Sequence, residues 1–418
     1  MKRVVIVTTF ADLSPDYSLA GVVSDQLRML VRAGYAPSLV VQTNFHDDER
    51  VPEGVDIRKA MPVLPLHDYQ PHEQARPDFA QAAETIAEAL RPILEQFDVA
   101  ITHDLMFLGW YLPHNQAIRQ LAAELPAVKW LHWVHSAPSG RPGKLIYPSS
   151  LRYTLPPNGK LVYLNNHDTL RLAEMYGTSL EHVRVVHNPR DPGAFFGLHP
   201  LAQKVTSLYP ALSADVVSVF PFSTPRWDGK NIRKLIWLMA KIKAQGRSVL
   251  LVLVNAHCNG NREKAIVQDL LSFAVSKGLS ASEVCFTSQL GAEWEYSVPN
   301  EAIRQLFQLS NLFIMPSLSE CCSLVLLEAA LCKNLLVLNQ DVPSMREFGG
   351  ERALYPQFGS VQLRVTYQNE DAYWTDWAKI IIGALDQERA LDSFRAVLRK
   401  HNPDWIFRRQ LEPILHEP

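Results

Sequence analysis

A chain of 418 residues exceeds what one ordinary hydrophobic core absorbs, so two domains of about 200 residues each are expected. With 47% hydrophobic and 20% charged residues it is neither disordered nor fibrous, and a net charge of −2 points to no polyanionic partner. The first apolar stretch, "VVIVTT", runs at once into polar residues, and nowhere do about 18 apolar residues follow one another, so neither a secretion signal nor a membrane span is expected and the expected location is cytoplasmic.

In chain order, a strand over Val4 to Thr8 precedes an amphipathic helix from Val22 to Ala33, which Gly34 ends before the strand "APSLVVQT". Further strands are expected at 98 to 103, 128 to 135, 160 to 165 and 183 to 188. Alternation of this kind predicts a parallel sheet with helices on both faces. After Asn188 the Pro- and Gly-rich "PRDPGAFFGLHP" suits a linker. A second series follows, with strands at 215 to 222, 248 to 255, 283 to 290, 311 to 317 and 334 to 339, and a helix from Asn231 to Ala244. The end, "WAKIIIGAL" and "LDSFRAVLRKHN", is helical, and there is no tandem repeat.

The fold class is therefore α/β, with two doubly wound, Rossmann-like domains facing an interdomain cleft. Their expected bounds are 1–190 and 191–390, with a helical segment 391–418 that is a candidate to cross back to the first domain. Open parallel sheets bind ligands at the carboxyl ends of their strands, so the informative residues should lie just after strands. Five cysteines without a CxxC pair or zinc spacing read as reduced packing residues, and the adjacent Cys321 and Cys322 are poorly placed to bridge each other.

The stretch "NLFIMPSLSECCSLVLLEAALC" places Glu320 in the loop after a strand and Glu328 inside the following helix, with Ser323 as the N-cap. Leu326, Leu327, Ala329 and Ala330 surround Glu328 and leave it little solvent-facing surface, an unfavourable setting for a carboxylate unless a ligand pairs with it. The helix N-terminus between the two acids offers free amides to an anion, and a diphosphate fits there.

These residues resemble the retaining glycosyltransferases of family 4, with the GT-B fold, whose hallmark is two glutamates with seven residues between them, preceded by Pro-Ser and followed by a helix of small residues. The resemblance implies that Glu320 contacts the donor sugar hydroxyls, Glu328 the nucleotide ribose, and the amides around Ser323, Leu324 and Val325 the diphosphate. "FSTPRWDGKN" is similar to the family's Arg-x-Lys loop, which carries over to Arg226 and Lys230 as the cations that hold the diphosphate. "VRVVHNPRDPGAFF" looks like the hinge that opens the second domain, matched at Asn188 and Asp191, with Pro189 where the family has glycine.

In the first domain, "DYSLAGVVSDQL" sits where the family has a loop with a glycine pair that lets the backbone approach donor or acceptor, and only Gly21 is matched. His135, at a predicted strand end, matches the family's cleft histidine, which contacts the donor sugar or orients the acceptor. His103 and Asp104 are further candidates, and His132, of opposite parity to His135, should face the other way. The sequence departs from the family at Phe220, Pro221 and Phe222, in "NAHCNG", and at Lys333 and Asn334.

By this resemblance the chain moves a sugar, with retention, from a nucleotide-diphosphate sugar, a UDP-sugar for preference. It needs no cofactor and, having no Asp-x-Asp pair, no metal clamp. Arg226, Lys230 and the helix amides would stabilise the departing diphosphate. From Leu125 to His167 there is no Asp or Glu, while Lys129, Arg141, Lys144, Arg152 and Lys160 alternate with Tyr147 and Tyr153. That stretch reads either as a contact for an anionic acceptor, a lipid phosphate or nucleic acid, or as a basic loop without function. The competing readings are a phage-type enzyme acting on a modified DNA base, a GT-B sugar-nucleotide epimerase or phosphorylase, and a non-catalytic nucleotide-sugar-binding module. No oligomeric state is assigned.

Overall fold

The computed structural model describes every residue except Pro15, Ala137, Cys322, Arg364 and Pro418. Seven strands, β1 (Val4–Val7), β2 (Ser38–Gln42), β3 (Asp56–Met61), β4 (Val99–His103), β5 (Lys129–Trp133), β6 (Gly159–Tyr163) and β7 (Val183–Val185), pair in the order β3-β2-β1-β4-β5-β6-β7. Every pairing is parallel. The interior strand β1 is a run of β-branched residues buried on both faces, as a parallel sheet covered on two sides requires. Val4 and Ile6 pack with Leu27 and Leu30 of α1 (Ser18–Arg32). Val5 and Val7 point the other way, toward Ile86 and Leu90 of α2 (Phe79–Leu94) and Ile118 and Leu121 of α3 (Leu112–Glu124). The sequence reading does not include β3; its polar "DIRKAM" suits an exposed edge strand and gives no apolar run to detect.

The second sheet holds β8 (Val216–Ser223), β9 (Val249–Ala256), β10 (Val284–Phe286), β11 (Leu312–Met315) and β12 (Leu335–Leu338), all parallel, in the order β10-β9-β8-β11-β12. Phe220 stacks on Phe313 and Phe222, with ring centroids 5.9 and 6.3 Å apart. The aromatic departures from the family pattern at the end of β8 are thus core packing. Each sheet is doubly wound: the chain runs outward through three strands, returns to the first, and continues on its other side. The reversal falls between β1 and β4 in one sheet and between β8 and β11 in the other, where diverging connections open a crevice at the strand ends.

The chain forms two compact units, Met1–Asp191 with His401–Pro418, and Pro192–Lys400. The return to the first unit begins ten residues later than the bound at 391 taken from sequence. Arg395 explains why: its buried guanidinium donates to the carbonyls of Leu309 at 3.0 Å and Ala211 at 3.1 Å, and to that of Ala214, which ties the helix Arg389–Lys400 to the second unit. Beyond it, Ile406, Phe407, Leu411, Ile414 and Leu415 complete the core beside α1. Among the described residues, no helix is long and apolar enough to cross a membrane. Cys258 and Cys285 are buried and Cys332 partly so, but Cys321 is exposed, contrary to its reading as a packing residue, because it belongs to the loop before the helix and not to the helix; Cys322 lies outside the described residues.

Candidate functional site

In the second unit the site begins where β8 ends. The buried Asn255 amide donates to Thr224 Oγ1 at 3.2 Å and Ser288 Oγ at 2.9 Å, and accepts from the Ser288 N–H at 3.1 Å. Thr224 in turn donates to the Ala256 carbonyl at 2.8 Å. This network pins the start of the turn that carries Arg226 and Lys230. The Lys230 N–H closes the turn on the Arg226 carbonyl at 3.0 Å, and Asn231, left-handed at φ 54°, redirects the chain into the helix Ile232–Ala244.

The connection after β11 is pinned in a parallel way. Asn339, fully buried, donates to the carbonyls of Ser317 at 3.0 Å and Gly359 at 2.6 Å, and Ser344 Oγ donates to the Glu320 carbonyl at 2.7 Å. The Leu318 N–H meets the Gly229 carbonyl at 3.0 Å, joining the loop of Glu320 to the loop of Lys230. Lys230 Nζ forms an ion pair with Glu320 Oε1, the two side chains being 15% and 12% exposed. Sequence reasoning gave these charges separate ligands; the structure places them on each other, which offsets the cost of covering either.

The helix that follows runs from Leu324 to Leu331, with Ser323 at the N-cap in extended conformation and making no side-chain cap. The Leu326 N–H donates to the Ser323 carbonyl at 3.2 Å, whereas the N–H groups of Leu324 and Val325 have no acceptor among the described residues and face outward, where an anion could meet them. Only Leu326 and Ala329 of this helix are buried, while Leu324 is 67% exposed, Val325 is partly covered and Glu328 is exposed. The expectation that Glu328 lacks a solvent-facing surface is therefore corrected. The helix packs through a single narrow stripe, and Glu328 lies about 200° round the helix from Leu326. Arg226 is also exposed, and its guanidinium has no partner among the described residues. A groove of 730 Å³ in this unit lies at the other end of β12, against Leu331, Cys332 and Leu335, and contains none of these site residues.

In the first unit, α1 and the ends of β4 and β5 build a second cluster. His135, just past β5, places Nε2 2.9 Å from Nδ1 of His103, the last residue of β4. Nε2 of His103 lies 3.0 Å from Oε1 of Gln26, a buried residue of α1. Burial, with His135 alongside, pushes His103 well below the usual imidazole range, and burial pushes His135 down to about 4, so both rings are neutral near pH 7. Asp104, left-handed at φ 56°, accepts the His135 N–H at 2.8 Å; burial raises its carboxyl above the usual range although this amide and that of Ser136 oppose the shift. His132 lies in the core with Nδ1 2.9 Å from Thr102 Oγ1, facing away from His135 as its parity requires.

Gly21 does not lie in a loop. It occupies the first turn of α1, exposed, with nothing within 4 Å of where a Cβ would stand, so no close backbone approach within the protein demands glycine there. At the hinge, the carboxylate of Asp191 pairs with Arg32 of α1, and the Arg190 N–H donates to the His401 carbonyl at 2.8 Å, so the chain leaves and re-enters the first unit side by side. The basic stretch is largely spent on structure. Lys129 Nζ donates to the carbonyls of Ile414 and Glu417, both at 2.8 Å, and burial with Lys160 nearby brings it down to about 8. Lys160 pairs with the Glu417 carboxylate at 2.5 Å, and Arg152 donates to the Phe107 carbonyl at 2.6 Å while lying over that ring. Arg141 and Lys144 stay exposed without an ionic partner among the described residues.

Sequence reasoning missed Gln26, Asn255 and Asn339. The last two carry a signal that could have found them: each is an asparagine closing an apolar strand run, "SVLLVLVN" and "NLLVLN", and a polar residue buried there must be bonded to something. No family model matches the sequence, and no curated protein matches it. Among solved structures, the chain is similar to a glycosyltransferase from Rickettsia africae, at 14% identity and a TM-score of 0.37 over 100% of this chain and 99% of that one. It is similar also to Anabaena HepE in complex with UDP, at 13% identity and 0.32 over 99% of each chain. A UDP-forming trehalose-phosphate synthase from Burkholderia xenovorans matches at 14% identity and 0.35, over 100% of this chain and 99% of that one. Scores this low say nothing of what this chain binds.

Proposed function

We propose that the chain is a retaining, metal-independent glycosyltransferase of the GT-B type, moving a sugar from a nucleoside-diphosphate sugar, a UDP-sugar for preference, to an acceptor hydroxyl. The observation that carries this reading is the meeting of Lys230 and Glu320 at the crevice between β8 and β11, next to an uncapped helix N-terminus. Cleaving the bond from the anomeric carbon to phosphate leaves negative charge on the diphosphate. A cation and free amides fixed in advance are what such a step needs.

In this reading the donor's diphosphate takes over Lys230 and the amides of Leu324 and Val325, with Arg226 as a second cation. Glu320, released from Lys230, then accepts hydroxyl groups of the sugar. Glu328, exposed beyond the first turn of the helix, takes the ribose. His135 offers a neutral imidazole to a hydroxyl in the first unit. Attack on the face that the diphosphate leaves needs no protein nucleophile, and none is assigned.

Calorimetric titration with UDP and UDP-glucose, followed by an assay for released UDP over a panel of acceptors, tests the proposal. Saturating donor at 100 times its dissociation constant should add about 2.7 kcal/mol to stability. Absence of binding by any nucleoside-diphosphate sugar overturns the reading. Binding without turnover makes the chain a binding module, and conversion of donor without acceptor makes it an epimerase. Acceptor binding that falls steeply with salt would direct attention to nucleic acid.

A further inference from the structure

A neutral imidazole carries one N–H and one bare nitrogen, so which nitrogen holds the proton is set by whatever the other one meets. Gln26, His103 and His135 stand in series, with contacts of 3.0 and 2.9 Å. Gln26 Oε1 has no proton to give, so Nε2 of His103 must donate to it, which leaves Nδ1 of His103 bare. Nε2 of His135 must then donate to that bare nitrogen, and Nδ1 of His135 is left as an open acceptor. Among the described residues nothing bonds to Nδ1 of His135, and it is not among the sealed, unpartnered polar atoms of the core. The two rings stack with centroids 5.2 Å apart and planes 25° from parallel, so neither turns over without breaking the series.

The placement follows from topology. Helix α1 leaves β1, whose neighbour across the reversal is β4, so a residue on the buried face of α1 lies against the end of β4. Gln26 is nearly sealed there, and as an uncharged acceptor it fixes the proton on Nε2 without drawing His103 toward the charged form, in which both nitrogens would donate and the series would fail.

We propose that Gln26 and His103 are positioning residues that hold His135 in the Nε2–H tautomer, so that Nδ1 accepts a hydrogen bond from a hydroxyl group of the ligand. The ligand group that His135 reads is then a neutral hydroxyl, as on a sugar or other polyol, and not a phosphate or carboxylate, whose oxygens would face a lone pair. The tautomer stands on its own geometry, whereas its use in turnover rests on the transferase reading above.

The test separates the two. Nitrogen-15 spectra of the histidine-labelled, full-length protein at pH 7.5, with the His135 resonances identified by loss in His135→Gln, should show His103 and His135 both protonated on Nε2 and bare at Nδ1. Gln26→Glu puts a carboxylate at this position and should draw His103 toward the doubly protonated form, so that Nδ1 of His103 no longer reads as bare. Gln26→Met removes the acceptor and should release both rings into tautomer mixtures. Turnover of Gln26→Met should fall about tenfold, the loss of roughly one neutral hydrogen bond, while its affinity for UDP stays within twofold. A proton on Nδ1 of His135 in the unsubstituted protein overturns the proposal, and so do spectra that do not change in Gln26→Met. The predicted tautomers in a protein that turns over no acceptor would uphold the relay and count against the transferase reading alone.

Discussion

Lys230 and Glu320, 90 residues apart in sequence, close on each other as an ion pair because the strands that precede them, β8 and β11, are neighbours across the reversal of the second sheet. With both side chains mostly covered, removing either partner leaves a poorly solvated charge behind. Lys230→Met and Glu320→Gln should each cost about 1–3 kcal/mol of unfolding free energy. In the double variant the two losses should fall short of additivity by about 0.5–3 kcal/mol, as read from urea unfolding. Turnover of Lys230→Met should drop about 100-fold or more, since the charge facing the leaving group is gone.

Glu328 is exposed and its carboxylate makes no hydrogen bond or ion pair among the described residues, so its loss separates binding from stability. Glu328→Ala should leave unfolding within about 0.5 kcal/mol. Its affinity for UDP should weaken about tenfold, the loss of roughly one hydrogen bond to the ribose, in calorimetry. Unchanged affinity would remove Glu328 from the site.

Stability should fall on the acid side of neutrality. Burial brings His132 down to about 3, and His114 and His135 to about 4, while an unfolded histidine titrates near 6.5. Below that pH the unfolded chain binds protons that the folded one does not. The stabilisation is therefore complete above about pH 6.5 and is lost as pH falls toward the folded values, by about 1.4 kcal/mol per histidine per pH unit. Denaturant melts between pH 7 and 5 should show this slope, and His114→Leu should lower it by one proton.

Two glycines should respond in opposite directions to the same change. At Gly159 a Cβ would stand 2.8 Å from Nε2 of the fully buried His132, so Gly159→Ala should destabilise by about 1–3 kcal/mol. At Gly21 a Cβ meets open space within helical backbone, so Gly21→Ala should stabilise by about 0.4–1 kcal/mol. Thermal melts of both variants check the pair. Unaltered turnover in Gly21→Ala would also show that no ligand needs that gap.

Much of the architecture could be read locally. "VVIVTT", "SVLLVLVN" and "NLFIMPS" are apolar runs that only a sheet covered on both faces accommodates, and Gly34, at φ +87°, ends α1 where the periodicity stops. The polar edge strand β3 escaped because its exposed residues carry no hydrophobic pattern. The burial assigned to Glu328 failed for a related reason: apolar neighbours along a short helix do not reveal how wide a stripe that helix packs, and here Leu331 is 82% exposed.

The amino-acid pattern alone determined that this chain builds two parallel α/β sheets, and which acids, cations and histidines stand just past the strands. Only the folded arrangement decided that Lys230 meets Glu320, that Gln26 reaches His103 and through it His135, and that Arg395 holds its helix to the second unit while residues beyond it return to the first. Periodicity records how each segment divides its surface between core and water, over a few residues at a time. Which distant side chains then face each other follows from the order of the strands, a property of long-range pairing that no local window contains.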